Sequence, residues 1–164
     1  MNHSLEHLLG QLMNGESLSE EQSETLMTAL AAGSVEPALG GALLVALRMK
    51  GESAEEVRGF ANGMRRVATE VKLDDSLELI DIVGTGGDGS QSFNISTGSA
   101  LLSAACGLNV AKHGNRSVSS KSGSADLLEF LGYHFPTGAD AVKAEIRENG
   151  FSFLFAPNFH PAMK

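Results

Sequence analysis

The chain has one cysteine, no tryptophan and a single tyrosine, and its cations are outnumbered, with 12 Lys and Arg against 20 Asp and Glu. Each shortage excludes something. One cysteine, Cys106, cannot build an internal disulfide framework and fits a reducing cytosol. A formal charge of −8 argues against a general binder of nucleic acid or membrane surface, since both partners are polyanions. No apolar run reaches the roughly 20 residues a membrane-crossing helix needs. The start, Met-Asn-His-Ser-Leu-Glu-His, lacks the basic and apolar regions of a signal peptide. A soluble, cytoplasmic protein of mixed structure is expected.

What is present falls into two parts. Residues 1–72 read as four helices, from a 3.6-residue apolar period and cap signals. Leu5, Leu8, Leu9, Leu12 and Met13 share one face of the first. Ser19 with Gln22, and Ser53 with Glu56, have the spacing of capping boxes for the second and fourth, and Pro37 suits the first turn of the third. Val57, Phe60, Ala61, Met64, Val67 and Val71 carry the apolar pattern of the fourth. Short connections predict that sequence neighbours pack antiparallel as a bundle.

Residues 73–164 alternate strand and helix. Leu77–Val83 reads as a buried strand, Asn94–Cys106 as a helix closed by Gly107, and Asn109–Ala111 as a second strand. Ala125–Leu131 reads as a helix, Thr137 with Asp140 opens another that runs to Asn149, and Phe151–Ala156 is a third strand. This implies βαβ units and a parallel sheet, so the fold class is α/β: a helical bundle followed by the first part of a parallel-sheet domain. Three strands leave an incomplete sheet, to be finished by a partner or by further chain.

Two loops rich in glycine and hydroxyls carry the chemistry. The first is Gly84-Thr-Gly-Gly-Asp88, the second Lys112-His-Gly-Asn-Arg-Ser-Val-Ser-Ser120. Between Ile82 and Ala125, Lys112, Arg116 and Lys121 face only Asp88, a local excess of +2 in an acidic chain. Glycines let backbone N–H groups approach an anion closely. Asn94-Ile-Ser-Thr97 falls at a helix N-terminus, where it can cap the helix, bind phosphate, or do both. Gly84-x-Gly86-x-x-Gly89 also matches the dinucleotide fingerprint, but the next strand ends in Lys112-His113 where that fingerprint needs an acid. Elsewhere, His3 and His7 have ligand spacing without a third ligand, and Cys106 reads as a small core residue. Phe151, Phe153 and Phe155 read as packing on a strand.

Taken together, Asp81-Ile-Val-Gly-Thr-Gly-Gly-Asp88, Phe93-Asn-Ile-Ser-Thr97, Lys112–Ser120, Lys121-Ser-Gly-Ser-Ala-Asp-Leu-Leu128, Phe153-Leu-Phe-Ala-Pro157 and His160-Pro-Ala-Met-Lys164 resemble the anthranilate phosphoribosyltransferase family in order and spacing. The resemblance implies a transferase of tryptophan biosynthesis, joining anthranilate to the phosphoribosyl group of 5-phosphoribosyl 1-diphosphate, with Mg²⁺. It implies that Gly84, Gly87, Asp88, Ser92, Asn94, Ile95, Ser96 and Thr97 cradle the diphosphate, with Ser96 a ligand to Mg²⁺. Lys112, His113, Gly114, Asn115, Arg116, Ser117, Val118, Ser119, Ser120 and Ser124 would surround the phosphoribosyl group. Gly84, His113, Asn115 and His160 would face anthranilate, and the helical part would form a homodimer.

No activated nucleophile is visible, and the aryl amine needs none; a catalytic proton carrier is unassigned. The family is about twice this length and carries, further on, an arginine for anthranilate's carboxylate and an Asp-Glu pair for Mg²⁺. The expectation is therefore a truncated or incomplete form with much of the donor site. Two other readings stay open: a dinucleotide-binding module, and a non-catalytic piece that dimerises and binds ligand.

Overall fold

The computed structural model describes residues 4–74, 76–84, 92–117 and 122–160. The chain divides into two compact units, Met1–Ala68 with His160–Lys164 and Thr69–Phe159, the first boundary falling a few residues before the one read from sequence.

The first unit holds α1 (Leu5–Met13), α2 (Glu20–Ala31), α3 (Pro37–Lys50) and α4 (Ala54–Val67). The caps form as the sequence spacing requires: both capping boxes are reciprocal, and Pro37 opens α3. Leu8, Leu12, Leu18, Leu26, Leu43 and Leu47 make the core. The pairing differs from expectation, because the closest contacts join α2 with α4 and α1 with α3 rather than sequence neighbours. Two glycines explain the first pair. A Cβ on Gly59 would lie 2.3 Å from the Glu20 carbonyl oxygen and 2.6 Å from Ser23 Cβ, and one on Gly63 would lie 2.9 Å from Met27 Cβ. One turn apart on α4, they let its backbone touch α2.

Glu56 does more than cap. It is wholly buried and accepts the Ser53 N–H at 2.6 Å, the distant Leu18 N–H at 2.9 Å and the Lys50 ammonium at 2.9 Å. Burial pushes its pKa up, but these donors, Lys50 foremost, outweigh burial and hold it below its ordinary 4.5.

The second unit, Thr69–Phe159, contains β1 (Leu79–Ile80), α5 (Ile95–Ala105), β2 (Asn109–Gly114), α6 (Ser124–Phe130), α7 (Ala139–Asn149), β3 (Phe151–Phe155) and α8 (Ala156–Phe159). The sheet is parallel in the order β1-β2-β3, with Leu79 opposite Asn109, and Val110 to Gly114 opposite Phe151 to Phe155. Both faces are covered. Ala100, Val110, Ala125, Leu128, Phe151 and Phe153 form one core, and Val142, Ile146 and Phe159 form the other with Ala111 and Leu154.

Several expectations change here. The first strand is only two residues, because the ladder with β2 covers only Leu79 and Ile80. The second runs on through Lys112, His113 and Gly114, which pair with β3 instead of entering the loop. Val71 packs against the second core of the α/β unit instead of extending α4. Thr137 does not cap α7; Gly138 does, at φ +89°, with no side-chain bond. The third strand turns directly into α8 at Ala156. Cys106 is exposed, since it follows the last turn of α5 as its C-cap.

Three outcomes follow for the helical unit. Gly59→Ala should lower stability by about 1–3 kcal/mol in urea unfolding, because a backbone carbonyl blocks the new methyl. Gly41→Ala in α3, where nothing lies within 4 Å, should by contrast raise it by about 0.5–1 kcal/mol. Glu56→Gln should cost about 3 kcal/mol near pH 7. Since the folded pKa is depressed, the carboxylate's contribution is full above 4.5 and fades as pH falls through the lowered value. The gap between variant and parent should thus close in acid; a gap that stays constant down to pH ~3 would contradict this assignment.

Candidate anion site

All three strands run parallel, so their C-terminal ends and the loops that follow share one edge, where such sheets bind ligands. β1 leads through Asp81, Ile82 and Val83 to Gly84. A Cβ on Gly84 would lie 3.6 Å from Ser96 Oγ, so the start of the first glycine loop rests against the first turn of α5. Asn94 is the N-cap residue of α5 but makes no cap bond with its side chain. Its amide instead donates to the Gly123 carbonyl at 3.3 Å, tying α5 to the residue that precedes α6. The Asn94 side chain therefore leaves the first turn of α5 uncapped, with a positive dipole end, while the Ile95 N–H donates to the Phe93 carbonyl at 2.7 Å. In that turn Thr97 is fully buried, and among the described residues its hydroxyl has no hydrogen-bond partner.

Lys112 sits on the α5 and α6 side of the sheet with Val110, and is 2% exposed. Its ammonium donates to the Ile82 carbonyl. Burial pushes its pKa below the ordinary lysine value, and the Asp81 carboxylate opposes this only in part. His113, on the opposite face, is half-buried. Gly114 is a close contact: a Cβ there would lie 2.5 Å from Ser124 Oγ and 2.7 Å from the Phe153 ring. Asn115 receives the Arg116 N–H on its side chain at 2.8 Å, and its carbonyl accepts the Ala125 N–H and Ser124 hydroxyl, each at 3.2 Å.

Arg116 differs most from the sequence picture. Its guanidinium makes a two-pronged pair with Glu129 at 2.6 and 2.9 Å, and reaches Asp126 at 3.1 Å. It also lies 5.6 Å above the Phe155 ring, which stacks on Phe135. These carboxylates raise its pKa further, Glu129 first. The excess of +2 counted along the sequence stops one residue short of Asp126 and one residue after Asp81. Sequence reasoning misses Asp126 and Glu129; the spacing of Asp126 three residues after Gly123, as in a capping box, is the available signal.

Of the remaining candidates, Ser92 and Ile95 are exposed, Ser96 and Ser117 half-buried, and His160 follows α8 directly. Gly87, Asp88, Val118, Ser119 and Ser120 lie outside the described residues, as do Gly86, Gly89, Lys121 and His3. Among the described residues no three His, Cys, Asp or Glu converge as metal ligands. Two open concavities lie elsewhere in the α/β unit, one of 730 Å³ along Glu70–Leu79 and one of 450 Å³ beside Tyr133 and Phe155. Neither includes the first turn of α5.

Residues 76–164 match the a/b domain of a glycosyl transferase family, and residues 6–68 match its helical bundle domain. The chain belongs to that glycosyl transferase family. The chain is 49% identical over 160 residues to an anthranilate phosphoribosyltransferase of Dehalococcoides mccartyi, covering 98% of the chain and 46% of the relative. Among solved structures, it resembles the anthranilate phosphoribosyltransferase of Thermus thermophilus with TM-score 0.80 and 47% identity, over 95% of this chain and 47% of that one. The Saccharomyces cerevisiae enzyme in complex with PRPP and Mg gives TM-score 0.83 at 30% identity, over 99% of this chain and 49% of that one. The chain thus spans about half the length of the relatives it matches. Among the described residues, no helix is long and apolar enough to cross a membrane.

The packing at the end of β2 generates one outcome. Gly114→Ala should destabilise the chain by about 1–3 kcal/mol in urea unfolding, because Phe153 is fully buried and cannot yield. Unchanged stability would show that the end of β2 has slack.

Proposed function

We propose that the chain binds 5-phosphoribosyl 1-diphosphate at the first turn of α5, as the donor half of a transfer to anthranilate in tryptophan biosynthesis. The observation that carries this reading is the pairing of an uncapped helix N-terminus with a Thr97 hydroxyl that is buried and, among the described residues, unpartnered, Gly84 alongside. Such a turn has N–H groups and a dipole end that favour negative charge, and one hydroxyl in need of an acceptor. Relatives about half-covered by this chain are named anthranilate phosphoribosyltransferase, and the yeast enzyme's structure is in complex with PRPP and Mg.

In the transfer, anthranilate's amine forms the N–C1 bond as the C1–O bond to diphosphate breaks. The electron pair leaves with pyrophosphate, and the amine loses a proton. The helix end and the Lys112 ammonium would oppose the charge that builds on the departing oxygens, and Gly84 leaves room for backbone approach. Mg²⁺ fits as a passenger of the diphosphate. Oxygen donors suit this ion, Ser96 offers a hydroxyl beside Gly84, and substrate phosphates and water commonly supply its other ligands. When bound, it would neutralise diphosphate charge. Gly87 and Asp88 would continue the cradle; Asn115, Ser124 and the 116–120 segment would hold the phosphoribosyl group. His113 would face anthranilate. Leu44, Val45 and Met49, all exposed on α3, support a homodimer through the helical unit.

The competing dinucleotide reading is weakened by β2 itself, which delivers Lys112, His113 and Gly114 where a ribose needs an acid. Calorimetric titration separates the two. The donor with Mg²⁺ should bind and NAD should not. Thr97→Val should weaken donor binding by about tenfold while leaving stability equal or higher, since it removes an unsatisfied buried hydroxyl. Binding of NAD, or donor affinity indifferent to Thr97→Val, would overturn the reading.

A further inference from the structure

The three-stranded sheet has two edges, and they differ. Alternate residues of a strand turn their backbone groups to opposite sides, and the Gly150 carbonyl accepts the Val110 N–H of β2. Phe151, Phe153 and Phe155 therefore turn theirs away from β2. In the middle of β3 the outward Phe153 N–H already donates to the Tyr133 hydroxyl at 3.0 Å. Tyr133 is held there by edge-on contacts with Phe135 and Phe151 and by donating to Glu145. β3 then runs straight into α8. A hydroxyl on the outward amide, with no strand left beyond it, closes this edge. β1 is the reverse. Among the described residues nothing pairs with its outer edge. Residues 77–83 have the apolar sequence of a strand covered on both faces, yet Ile80 and Val83 are exposed. α5 packs on β2 and β3, and its Ile95 and Leu102, two turns apart on one face, are 55% and 66% exposed. Gly84 lies against Ser96, so Val83 and Ile95 flank the same contact. Beside the start of β1, the open concavity of 730 Å³ is lined by Val71, Leu73, Leu77 and Leu79.

We propose that the outer edge of β1, with the face of α5 that bears Ile95 and Leu102, is a docking surface for a further parallel strand and its helix. The occupant is the half of a family-length relative that this chain does not match. The chain spans about half the length of its relatives, so the family supplies as much polypeptide again. The sheet is parallel throughout, and parallel strands are buried by helices on both faces. A second copy related by a two-fold axis would instead pair β1 with β1 antiparallel, over a strand of only two residues. The docking surface stands on this geometry alone; its consequence for function rests on the donor reading above. From β1 the order steps one way to β2 and β3, so a strand added beyond β1 makes β1 the point where the order divides. In doubly wound sheets, ligands sit outside the carboxyl ends of the strands at such a point. The carboxyl end of β1 leads to Gly84 and the first turn of α5. The incoming strand thus ends beside the donor cradle and supplies a further wall of it.

The test combines the full chain with the unmatched half of the Dehalococcoides mccartyi relative, as one fused polypeptide and as two co-expressed ones. In the fused protein, hydrogen exchange at the amides of residues 78–82 should slow, relative to the chain alone, by at least about tenfold more than at Phe151–Phe155. Ile80→Lys with Leu102→Lys should abolish capture of the co-expressed half, while the unfolding midpoint of the chain alone stays nearly unchanged. Leu131→Lys, exposed beside the closed edge, should leave capture intact. Protection gained at β3 rather than β1, or capture indifferent to the paired lysines, would overturn the proposal. So would self-association of the chain that Ile80→Lys abolishes, without capture of the half, since the occupant would then be a second copy. Where separate chains do not associate, the exchange pattern of the fused protein decides alone. Affinity for 5-phosphoribosyl 1-diphosphate with Mg²⁺ should be at least about tenfold higher in the fused protein. The expected exchange pattern with donor affinity unchanged would overturn the consequence for the donor site and uphold the docking surface.

Discussion

The five-residue parallel pairing of β2 with β3, Val110 to Gly114 against Phe151 to Phe155, is the constraint on which the α/β unit depends. Side chains alternate along a strand, so this register sends Val110 and Lys112 toward α5 and α6, and Ala111 toward α7 and α8. A slip of one residue would exchange these faces and remove the Lys112 ammonium from the Ile82 carbonyl. Parallel pairing also brings the end of β1, the end of β2 and the start of α8 to one edge. The two loops are neighbours because of the sheet, not because of any attraction between them.

The helices are legible because their signals are local. A Ser with Gln or Glu three residues later fixes a start whatever surrounds it, and four of the first unit's boundaries follow from such caps, Pro37 and Gly33. Which helices touch is not local. Gly59 and Gly63 set the α2–α4 contact, yet in sequence they look like weak points in a helix, and only the atoms a Cβ would meet reveal their purpose. Strand ends are illegible for the same reason. The apolar run of Leu77–Val83 suggests a long strand but pairs for two residues, whereas charged Lys112 looks like a loop residue but continues a strand because β3 continues beside it.

Charge is the feature that linear counting describes worst. Along the sequence, Lys112, Arg116 and Lys121 form a basic island. In the fold, Arg116 is satisfied by Asp126 and Glu129, and Lys112 is buried within reach of Asp81. Among the described residues, what remains for an anion is less a field of cations than a set of directed donors at the first turn of α5. This suits a ligand whose position matters more than its capture, since directed N–H groups fix geometry while diffuse charge only raises local concentration.

The α/β unit therefore buries polar groups in two different ways. Near α5, the Thr97 hydroxyl has no partner among the described residues and the Lys112 ammonium is buried against a carbonyl, arrangements that cost stability unless a ligand completes them. On the outer side of β3, nothing is left over. The Tyr133 hydroxyl accepts the Phe153 N–H at 3.0 Å and donates to Glu145, which also takes the Ser152 hydroxyl at 2.7 Å. Burial, with Glu145 beside it, pushes the Tyr133 pKa well up. Phe135, Phe151 and Phe153 pack around it. The same strand that pairs with Lys112 is held from behind by a closed network, and this rigidity lets the incomplete donors on its other flank keep their positions. Stability on one side of β3 thus sustains unsatisfied chemistry on the other.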